Sequence, residues 1–258
     1  MGFERIVPGT MEWDAYHGNH LARYRFAVEA LHDAQPKVIL DAACGVGYGA
    51  KYLADALGAS VVGADRSLEA LEIARTEFAH SSVKFFQDDC HTLDAAAKHN
   101  PFDAVVSMET FEHLPRPKDF LAAVRRVLRP GGRLVVSTPN VEVFANAGHW
   151  EFHEKEYTAA EFHALLVEAG FNQVALFGQG LTERGKDRAE MRAEFARLAQ
   201  NPFMRFGRFL QRTLRRRKTE QALLPERVED FQFTLLDSTR SLNDAAKDSE
   251  VLVGVACR

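Results

Sequence analysis

The sequence has few cysteines and no long apolar run. Its three cysteines, Cys44, Cys90 and Cys257, are odd in number and far apart, so they give no sign of a disulfide framework. No segment approaches the ~20 apolar residues that a membrane-spanning helix needs, and no apolar run follows the amino terminus. These absences predict a protein of the reducing cytoplasm, without a signal peptide.

An excess of charge of one sign is also lacking. The 258 residues include 32 Lys and Arg and 36 Asp and Glu, which leaves a net charge of −4. A chain with this balance has no general basic field that would attract nucleic acid. The hydrophobic content of 46% argues against long disorder, and the length suffices for one large domain or for a domain with an insertion.

Short apolar runs alternate with helical patterns from Lys37 to about Phe177. The runs predict strands that are buried on both faces, namely KVILDA, ASVVGAD, VKFFQ, FDAVVSM and GRLVVST. Segments with a 3.6-residue apolar period separate them, and strands that alternate with such helices form a parallel sheet with helices on both sides. QVALF and the terminal EVLVGVACR are predicted to add two strands at the closing edge.

The chain is predicted to have three parts. Residues 1–36 form an amino-terminal helical cap, since HGNHLARYRFAVEALHDA has the pattern of an amphipathic helix. Residues 37–177 and 231–258 form the sheet domain. The alternation is lost in residues 178–230, which are predicted to be a mostly helical insertion.

A glycine-rich turn, VILDAACGVGYGA, joins the first predicted strand to a helix. Gly45, Gly47 and Gly49 let a ligand approach the backbone closely, and the amino terminus of the helix supplies free N–H groups. Asp65 ends the second strand, 24 residues after Asp41, where an acid suits the two vicinal hydroxyls of a ribose. The turn therefore predicts a nucleoside-containing ligand, with a turn that serves only tight packing as the alternative.

The acids around this turn favour a cationic ligand over a pyrophosphate. Asp41 precedes the turn, and the spacing is G-x-G-x-G instead of the G-x-G-x-x-G of dinucleotide sites. Asp89 follows the third strand and could meet an adenine amino group. No Tyr-x-x-x-Lys pair follows, which weakens an interpretation as a short-chain dehydrogenase.

Two acids and an imidazole follow the fourth predicted strand in VVSMETFEHLPRP. Glu109, Glu112 and His113 lie at i, i+3 and i+4, on one face if the turn is helical, where the two carboxylates would repel each other. A divalent cation such as Mg²⁺ or Mn²⁺ would resolve that repulsion. His149 and His153 leave the fifth strand at the same edge, and either could be a further ligand. The alternative is a loop that merely lines the ligand.

From Lys37 to Phe177, including RVLRPGGRLVVSTPN, the chain resembles the class I S-adenosylmethionine-dependent methyltransferases. The resemblance implies an α/β fold with a Rossmann-like, doubly wound, seven-stranded, mostly parallel sheet and an antiparallel last strand, to which this chain adds the helical insertion. It places the methionine part at the glycine turn, the ribose at Asp65 and the adenine at Asp89, and it makes the cysteines wall residues. The implied S-adenosyl-L-methionine contacts are Tyr24, Asp41, Ala43, Gly45, Gly47, Asp65, Arg66, Asp89, Cys90 and Met108.

A narrower resemblance rests on E-x-x-E-H-L, on S-T-P-N, and on a His four residues before an aromatic-Thr step. This combination is similar to the small-RNA 3′-terminal 2′-O-methyltransferases. It implies that Glu109, Glu112, His113 and His153 hold a Mg²⁺ that grips both hydroxyls of a terminal ribose, with Tyr157 at the aromatic position. METFEHLPRP is also similar to the ubiquinone-pathway O-methyltransferases, which act on catechol-like rings.

Both relatives methylate an oxygen that has a neighbouring hydroxyl. A chelating metal would orient such an acceptor and lower the pKa of its hydroxyl, so Glu112 and His113 are predicted to be catalytic. The opening ERIVPGT…HLARYRFA and the later FHEKEY…LFGQG resemble bacterial methyltransferases of cell-surface polysaccharide and sugar-modifying pathways. That resemblance places His20, Arg23 and Tyr24 over the cofactor. The candidate acceptor contacts are Tyr16, His17, Asn140, His149 and Tyr157, of which the first two could instead only pack.

Residues 202–218, PFMRFGRFLQRTLRRRK, are predicted to form a basic amphipathic helix. Such a helix favours peripheral contact with an anionic membrane surface, here the inner face of the membrane. Binding of single-stranded nucleic acid through its interleaved aromatics, or a lid helix with a solvated face, are the alternatives.

The favoured prediction is O-methylation of a small molecule with a vicinal diol, a sugar or a lipid-linked glycan, with a divalent metal activating the hydroxyl. The alternatives are methylation of the 3′-terminal ribose of RNA, methylation of a catechol-type quinone precursor, and a non-catalytic subunit that binds S-adenosylmethionine. The sequence gives no prediction of the oligomeric state.

Overall fold

The computed structural model describes residues 6–99, 101–144, 152–190, 227–236 and 241–258. In this part of the chain, eight strands form one sheet. In chain order they are β1 Val38–Ala42, β2 Ser60–Asp65, β3 Val83–Gln87, β4 Phe102–Ser107, β5 Leu128–Pro139, β6 Asn172–Leu181, β7 Phe231–Leu235 and β8 Val251–Cys257.

Helices begin where the sequence offers capping side chains. Thr10 Oγ1 accepts a hydrogen bond from Trp13 N, so the first helix begins earlier than its apolar pattern predicts. Ser67 caps a second helix, and Thr158 with Glu161 forms a capping box on a third. The helices are α1 Met11–Leu31, α2 Tyr48–Leu57, α3 Leu68–Glu77, α4 Pro117–Val127, α5 Val141–Phe144, α6 Ala159–Glu168 and α7 Leu242–Ala246. Residues 183–190 are also helical, and short 3₁₀ turns occupy His32–Ala34, Ala96–Lys98, Phe111–His113 and Val228–Asp230.

The sheet has the strand order β3-β2-β1-β4-β5-β8-β6-β7. Its first five strands are parallel, and β8 runs antiparallel to both β5 and β6. The Rossmann-like, doubly wound α/β fold that the sequence predicts is therefore confirmed. The order reverses between β1 and β4, and such a reversal is where open α/β sheets bind their ligands.

The predicted number of strands is corrected from seven to eight. Phe231–Leu235 pairs antiparallel with β6, from Phe177 opposite Leu235 to Leu181 opposite Phe231. This pairing makes β7 the outermost strand, so β6 and β8 do not close the edge. It also carries β6 to Leu181, past residue 178, where the insertion was predicted to begin.

Apolar residues fill both sides of the sheet. One cluster joins α4 and α6 to the sheet through Phe111, Phe120 and Phe162. The other joins α1, α2 and α3 to the opposite face through residues such as Leu31 and Leu53. Because β1 to β5 run parallel, the polar side chains at their carboxyl ends lie at one edge of the sheet.

The predicted insertion is described only at its two ends. Helical residues 183–190 are tied to the 3₁₀ turn before β7 by a buried ion pair, in which Arg188 Nη1 lies 2.9 Å from Asp230 Oδ2. The predicted basic helix at 202–218 lies outside the described residues. None of the helices in the described ranges has both the length and the apolar character needed to cross a bilayer.

Candidate active site

A cavity of about 820 Å³ opens at the carboxyl edge of the sheet, beside α1. Most of the residues predicted as site residues line it. These are Tyr16, Tyr24, Ala43, Gly45, Asp65, Arg66, Asp89, Cys90, Met108, Glu109, Glu112, His113 and His153. The predicted residues outside its lining are His17, Asp41, Gly47, Asn140 and Tyr157. His149 lies outside the described residues.

Two glycines in the turn after β1 have different roles, one at the cavity and one in packing. Gly45 lines the cavity with φ +54°, and a Cβ there would meet nothing within 4 Å. At Gly47, with φ +91°, a Cβ would lie 2.7 Å from Ala74 Cβ and 2.8 Å from Phe85 Cζ. Gly45 is thus available for a ligand, whereas Gly47 serves the packing of the turn against α3 and β3.

Asp41, a predicted cofactor contact, is fully buried and lies behind the residues that line the cavity. The Tyr24 hydroxyl, which belongs to the wall, donates to Asp41 Oδ1 at 3.2 Å. Burial raises the pKa of Asp41 to about 8, and the charge of Asp65 adds to the rise, while the Tyr24 hydrogen bond opposes it. Asp41 therefore influences the cavity through its hydrogen bond with Tyr24. A cation bound nearby would lower the pKa of Asp41 and favour its ionised form.

Asp65 holds the glycine turn in place. Its Oδ2 accepts from Gly45 N and its Oδ1 from Ser67 N, both at 2.9 Å. A carboxylate has about four lone-pair positions, so these bonds are compatible with further acceptance from a ligand hydroxyl.

The third acid and the cysteines have separate roles. Hydrogen bonds from the backbone and the ring of His91 keep the pKa of Asp89 below its usual value, so its carboxylate is ionised at neutral pH. Burial, together with nearby carboxylates, raises the pKa of Cys90 to about 12 and that of Cys44 well above its usual range. Both cysteines line the cavity, and a raised pKa keeps each thiol protonated at neutral pH, which disfavours a role as nucleophile.

Three of the four predicted metal ligands come together. Donor atoms of Glu112, His113 and His153 all lie within 4.8 Å of one another. His113 Nδ1 is 2.7 Å from Phe152 O, and His153 Nδ1 is 3.0 Å from Glu156 Oε1. A carbonyl oxygen can only accept, so Nδ1 of His113 carries the proton and Nε2 of the neutral ring has the lone pair.

Glu112 is the buried member of this cluster, with 1% of its surface exposed. Its Oε2 has no hydrogen-bond partner among the described residues. Burial, followed by the charge of Glu109, raises the pKa of Glu112 well above its usual value. A buried carboxylate oxygen without a partner, beside two imidazoles whose Nδ1–H groups are anchored by oxygens, is a set of donors that could hold a metal ion.

Glu109 lies outside this cluster in the structure, so the predicted set of four ligands stays a prediction, of which three members are brought together. Its Oε2 lies 3.5 Å from Arg23 Nη2, and its Oε1 accepts from Ser137 Oγ at 2.8 Å. Ser137 Oγ also accepts from Glu109 N at 2.9 Å. The backbone of Glu109 has φ +51°, so Glu109 is not part of the 3₁₀ turn that carries Glu112 and His113.

Arg23, which the resemblance to sugar-pathway methyltransferases places over the cofactor, lines the cavity. Only 3% of it is exposed, and its Nε and Nη1 have no hydrogen-bond partner in the described part of the chain. His20, Asn19 and Glu250 also line the cavity. Tyr16, Asn19, His20 and Arg23 follow helical spacing, and this polar face of α1 was the signal in the sequence. Burial and the charge of Arg23 lower the pKa of His20 well below its usual value, so its ring is neutral at pH 7.

Three predicted acceptor contacts have structural partners instead. His17 stacks on Trp13, with ring centroids 3.9 Å apart. Asn140 is fully buried and donates to Ala246 O and Ser249 O, both at 2.9 Å, which ties the end of β5 to the start of β8. Tyr157 packs on Phe111 at 5.1 Å between centroids. Of the predicted acceptor contacts on α1, Tyr16 remains, with 53% of its surface exposed at the cavity.

The cavity thus combines two chemically different groups of lining residues. One is the glycine turn with Asp65 and Asp89, and the other is the cluster of Glu112, His113 and His153. The lining carboxylates outnumber the lining arginines, so the cavity favours a ligand that carries positive charge.

Comparison with known proteins agrees with this layout. Residues 40–136 match the methyltransferase domain family. A protein of Mycolicibacterium smegmatis, named as a probable S-adenosylmethionine-dependent methyltransferase, is 33% identical over 190 residues, which are 70% of this chain and 70% of that protein. A ubiquinone biosynthesis O-methyltransferase of Roseobacter denitrificans is 40% identical over 150 residues, which are 53% of this chain and 60% of that protein. The chain therefore spans less than two thirds of the ubiquinone relative.

Among solved structures, the methyltransferase domain of a bacterial Hen1 protein superimposes with a TM-score of 0.56. The alignment covers 92% of this chain and 98% of that domain at 19% identity, so it bears on the fold alone. The length and identity of the mycobacterial match, together with the matched domain, establish the family. The chain belongs to the S-adenosylmethionine-dependent methyltransferases.

Proposed function

We propose that the protein methylates a hydroxyl oxygen of a small molecule with a vicinal diol, a sugar or a lipid-linked glycan, and that a divalent cation assists. The observation that carries the proposal is the cluster of Glu112, His113 and His153 in the same cavity as the glycine turn. A methyl donor and a chelated pair of acceptor oxygens would thereby share one enclosed space.

The wall residues fit three polar groups of S-adenosylmethionine. Asp65 has lone pairs for the ribose hydroxyls, and the ionised Asp89 can accept from the adenine amino group. Arg23 has two buried donors without partners, which suit the carboxylate of the methionine part. When bound, the cofactor supplies an electrophilic methyl group on a sulfonium.

The cluster fits a divalent cation by its chemistry. Two imidazoles and a carboxylate suit Mn²⁺, and Mg²⁺ is the harder alternative. A cation held there would act as a Lewis acid that lowers the pKa of a neighbouring hydroxyl. Three protein ligands out of the usual six leave room for two adjacent acceptor oxygens.

The acceptor class follows from oxygen chemistry and from charge. The ubiquinone-biosynthesis relatives are O-methyltransferases by name, which favours oxygen as the methylated atom. Carboxylates dominate the lining, which disfavours a polyanion, so RNA is the second candidate. A lipid-linked acceptor agrees with the membrane contact that we propose for residues 202–218.

Transfer of tritiated methyl groups to nucleotide sugars, catechols and short RNAs, with and without Mg²⁺ or Mn²⁺, tests the proposal. We expect transfer to diols, none to their mono-deoxy analogues, and loss of activity in EDTA that added metal restores. His153→Ala should lose metal-dependent activity, and His163→Ala on α6, outside the cavity lining, is the matched control. Full activity in EDTA with no Mn²⁺ bound would refute the metal part, and labelling of RNA alone would refute the acceptor.

A further inference from the structure

Arg23 lines the cavity and contacts Glu109. Its Nη2 lies 3.5 Å from Glu109 Oε2, while its Nε and Nη1 are buried without hydrogen-bond partners among the described residues. Leaving two donors of a buried guanidinium unmet is unfavourable unless an anion completes them. The side chain is therefore half-satisfied: one nitrogen faces Glu109 and two are available to a second carboxylate.

Glu109 is correspondingly held from two sides. Ser137 Oγ donates to its Oε1 at 2.8 Å, and Arg23 contacts its Oε2. The 3.5 Å contact with Arg23 is longer than the ~2.7–2.9 Å of a strong charge-assisted hydrogen bond. Arg23 therefore holds Glu109 less strongly than Ser137 does. Glu109 and Glu112 are three residues apart and line the same cavity, so a released Glu109 faces the space beside Glu112.

We propose that Arg23 couples the cofactor to the cation: a carboxylate bound at Nε and Nη1 weakens the hold of Nη2 on Glu109, which then joins Glu112, His113 and His153 as a ligand. The inference rests on the proposed function. One guanidinium charge shared between two carboxylates attracts each of them less, and a cation beside Glu112 attracts the released one. Arg23 and Glu109 are positioning residues in this scheme, and Glu109 is a ligand only while the cofactor is bound.

Linkage makes the coupling reciprocal. If the cofactor carboxylate raises the affinity for the cation, the cation must raise the affinity for that carboxylate by the same factor. Couplings between protein sites are commonly about 5- to 150-fold. We expect an effect in that range, and in the positive direction.

The test measures the binding of Mn²⁺ to the full chain. The electron paramagnetic resonance signal of free Mn²⁺ reports how much of the ion remains unbound. It is measured alone, with S-adenosylhomocysteine, and with 5′-methylthioadenosine, which keeps the nucleoside and the thioether but lacks the amino-acid carboxylate. We expect S-adenosylhomocysteine to tighten Mn²⁺ binding by about 5-fold or more and 5′-methylthioadenosine to leave it unchanged. Calorimetric titration of S-adenosylhomocysteine with and without Mn²⁺ should give the same factor.

Variants separate the two positioning residues. Glu109→Gln keeps the side-chain volume but removes the charge, so Mn²⁺ affinity should no longer respond to S-adenosylhomocysteine. Arg23→Gln releases Glu109 permanently, so Mn²⁺ should bind more tightly than to the parent chain even without a nucleoside. Arg133→Gln, which removes an arginine paired with the exposed Asp33, is the control and should keep the full response.

The outcomes distinguish the coupling from the function on which it rests. Equal Mn²⁺ affinity with either nucleoside and with none would overturn the coupling and leave the metal site standing. Absence of Mn²⁺ binding under every condition would overturn both. The comparison of the two nucleosides on the unaltered chain decides the question even if Arg23→Gln fails to fold.

Discussion

Replacing single glycines by alanine separates ligand approach from packing in the turn after β1. Gly45, Gly47 and Gly58 all have positive φ, at +54°, +91° and +62°. A Cβ at Gly45 or at Gly58 would meet nothing within 4 Å, whereas at Gly47 it would collide with Ala74 and Phe85. Gly45 lines the cavity, and Gly58 ends α2 away from it.

The three variants should differ in stability by calculable amounts. Alanine in the left-handed region costs about 1–2 kcal/mol, and this term applies to all three. Overpacking at Gly47 adds about 1–3 kcal/mol. The free energy of unfolding should therefore fall by about 1–2 kcal/mol for Gly45→Ala and Gly58→Ala and by about 2–5 kcal/mol for Gly47→Ala, out of a typical 5–15 kcal/mol.

Binding should rank the same variants differently. A methyl group on Gly45 projects into the space assigned to the cofactor, and a clash of about 1–3 kcal/mol weakens binding by about 5- to 150-fold. Gly58→Ala should bind S-adenosylhomocysteine as the parent chain does. Urea unfolding gives the stabilities, and isothermal titration calorimetry gives the affinities of the variants that remain folded.

Two results would each refute part of this reasoning. If Gly45→Ala binds S-adenosylhomocysteine as tightly as Gly58→Ala does, the backbone at Gly45 is not where the cofactor approaches. If Gly47→Ala is no less stable than Gly58→Ala, the contacts with Ala74 and Phe85 yield at no cost, and the packing role of Gly47 is wrong.

Three further predictions concern side chains. The folded-state pKa of Asp41 is raised to about 8, so the stability that its proton contributes is fully present below its unfolded pKa and is lost as pH rises through about 8. In Asp41→Asn, the free energy of unfolding of the unliganded chain, measured in urea, should therefore depend less on pH between about pH 4 and 8. Cys90, with its pKa raised to about 12, should resist iodoacetamide at pH 8 in the native state and react after unfolding, as mass spectrometry would show. His17→Ala should lower the free energy of unfolding by about 0.5–1.5 kcal/mol through the lost stack on Trp13, without changing the KM for the acceptor. Tyr16→Ala should raise that KM with little effect on stability. The reverse pattern would exchange the roles of the two residues.

Local patterns predicted the parts of the structure that depend on neighbouring residues. The alternation of strands and helices, the acid at the end of β2 and the proximity of Glu112 to His113 all follow from spacing over a few residues. The eighth strand did not, because FQFTL is short and its place depends on pairing with β6, distant in sequence. Sequence also cannot separate an Asn that binds a ligand from one that, like Asn140, binds two backbone carbonyls, since both stand at the same edge.

The acid pair at Glu109 and Glu112 illustrates the same limit most sharply. Spacing of i and i+3 places both carboxylates on one face only if the backbone is helical from the first acid onward. Here Glu109 has φ +51° and the 3₁₀ turn begins at Phe111, so the two side chains are directed to different partners. Arg23 meets the first acid, and the second keeps an oxygen without a partner beside two imidazoles. The positive charge beside Glu109 is that of Arg23 on α1. Glu112 is therefore the acid that an external cation would neutralise, and the metal site we propose is centred on it.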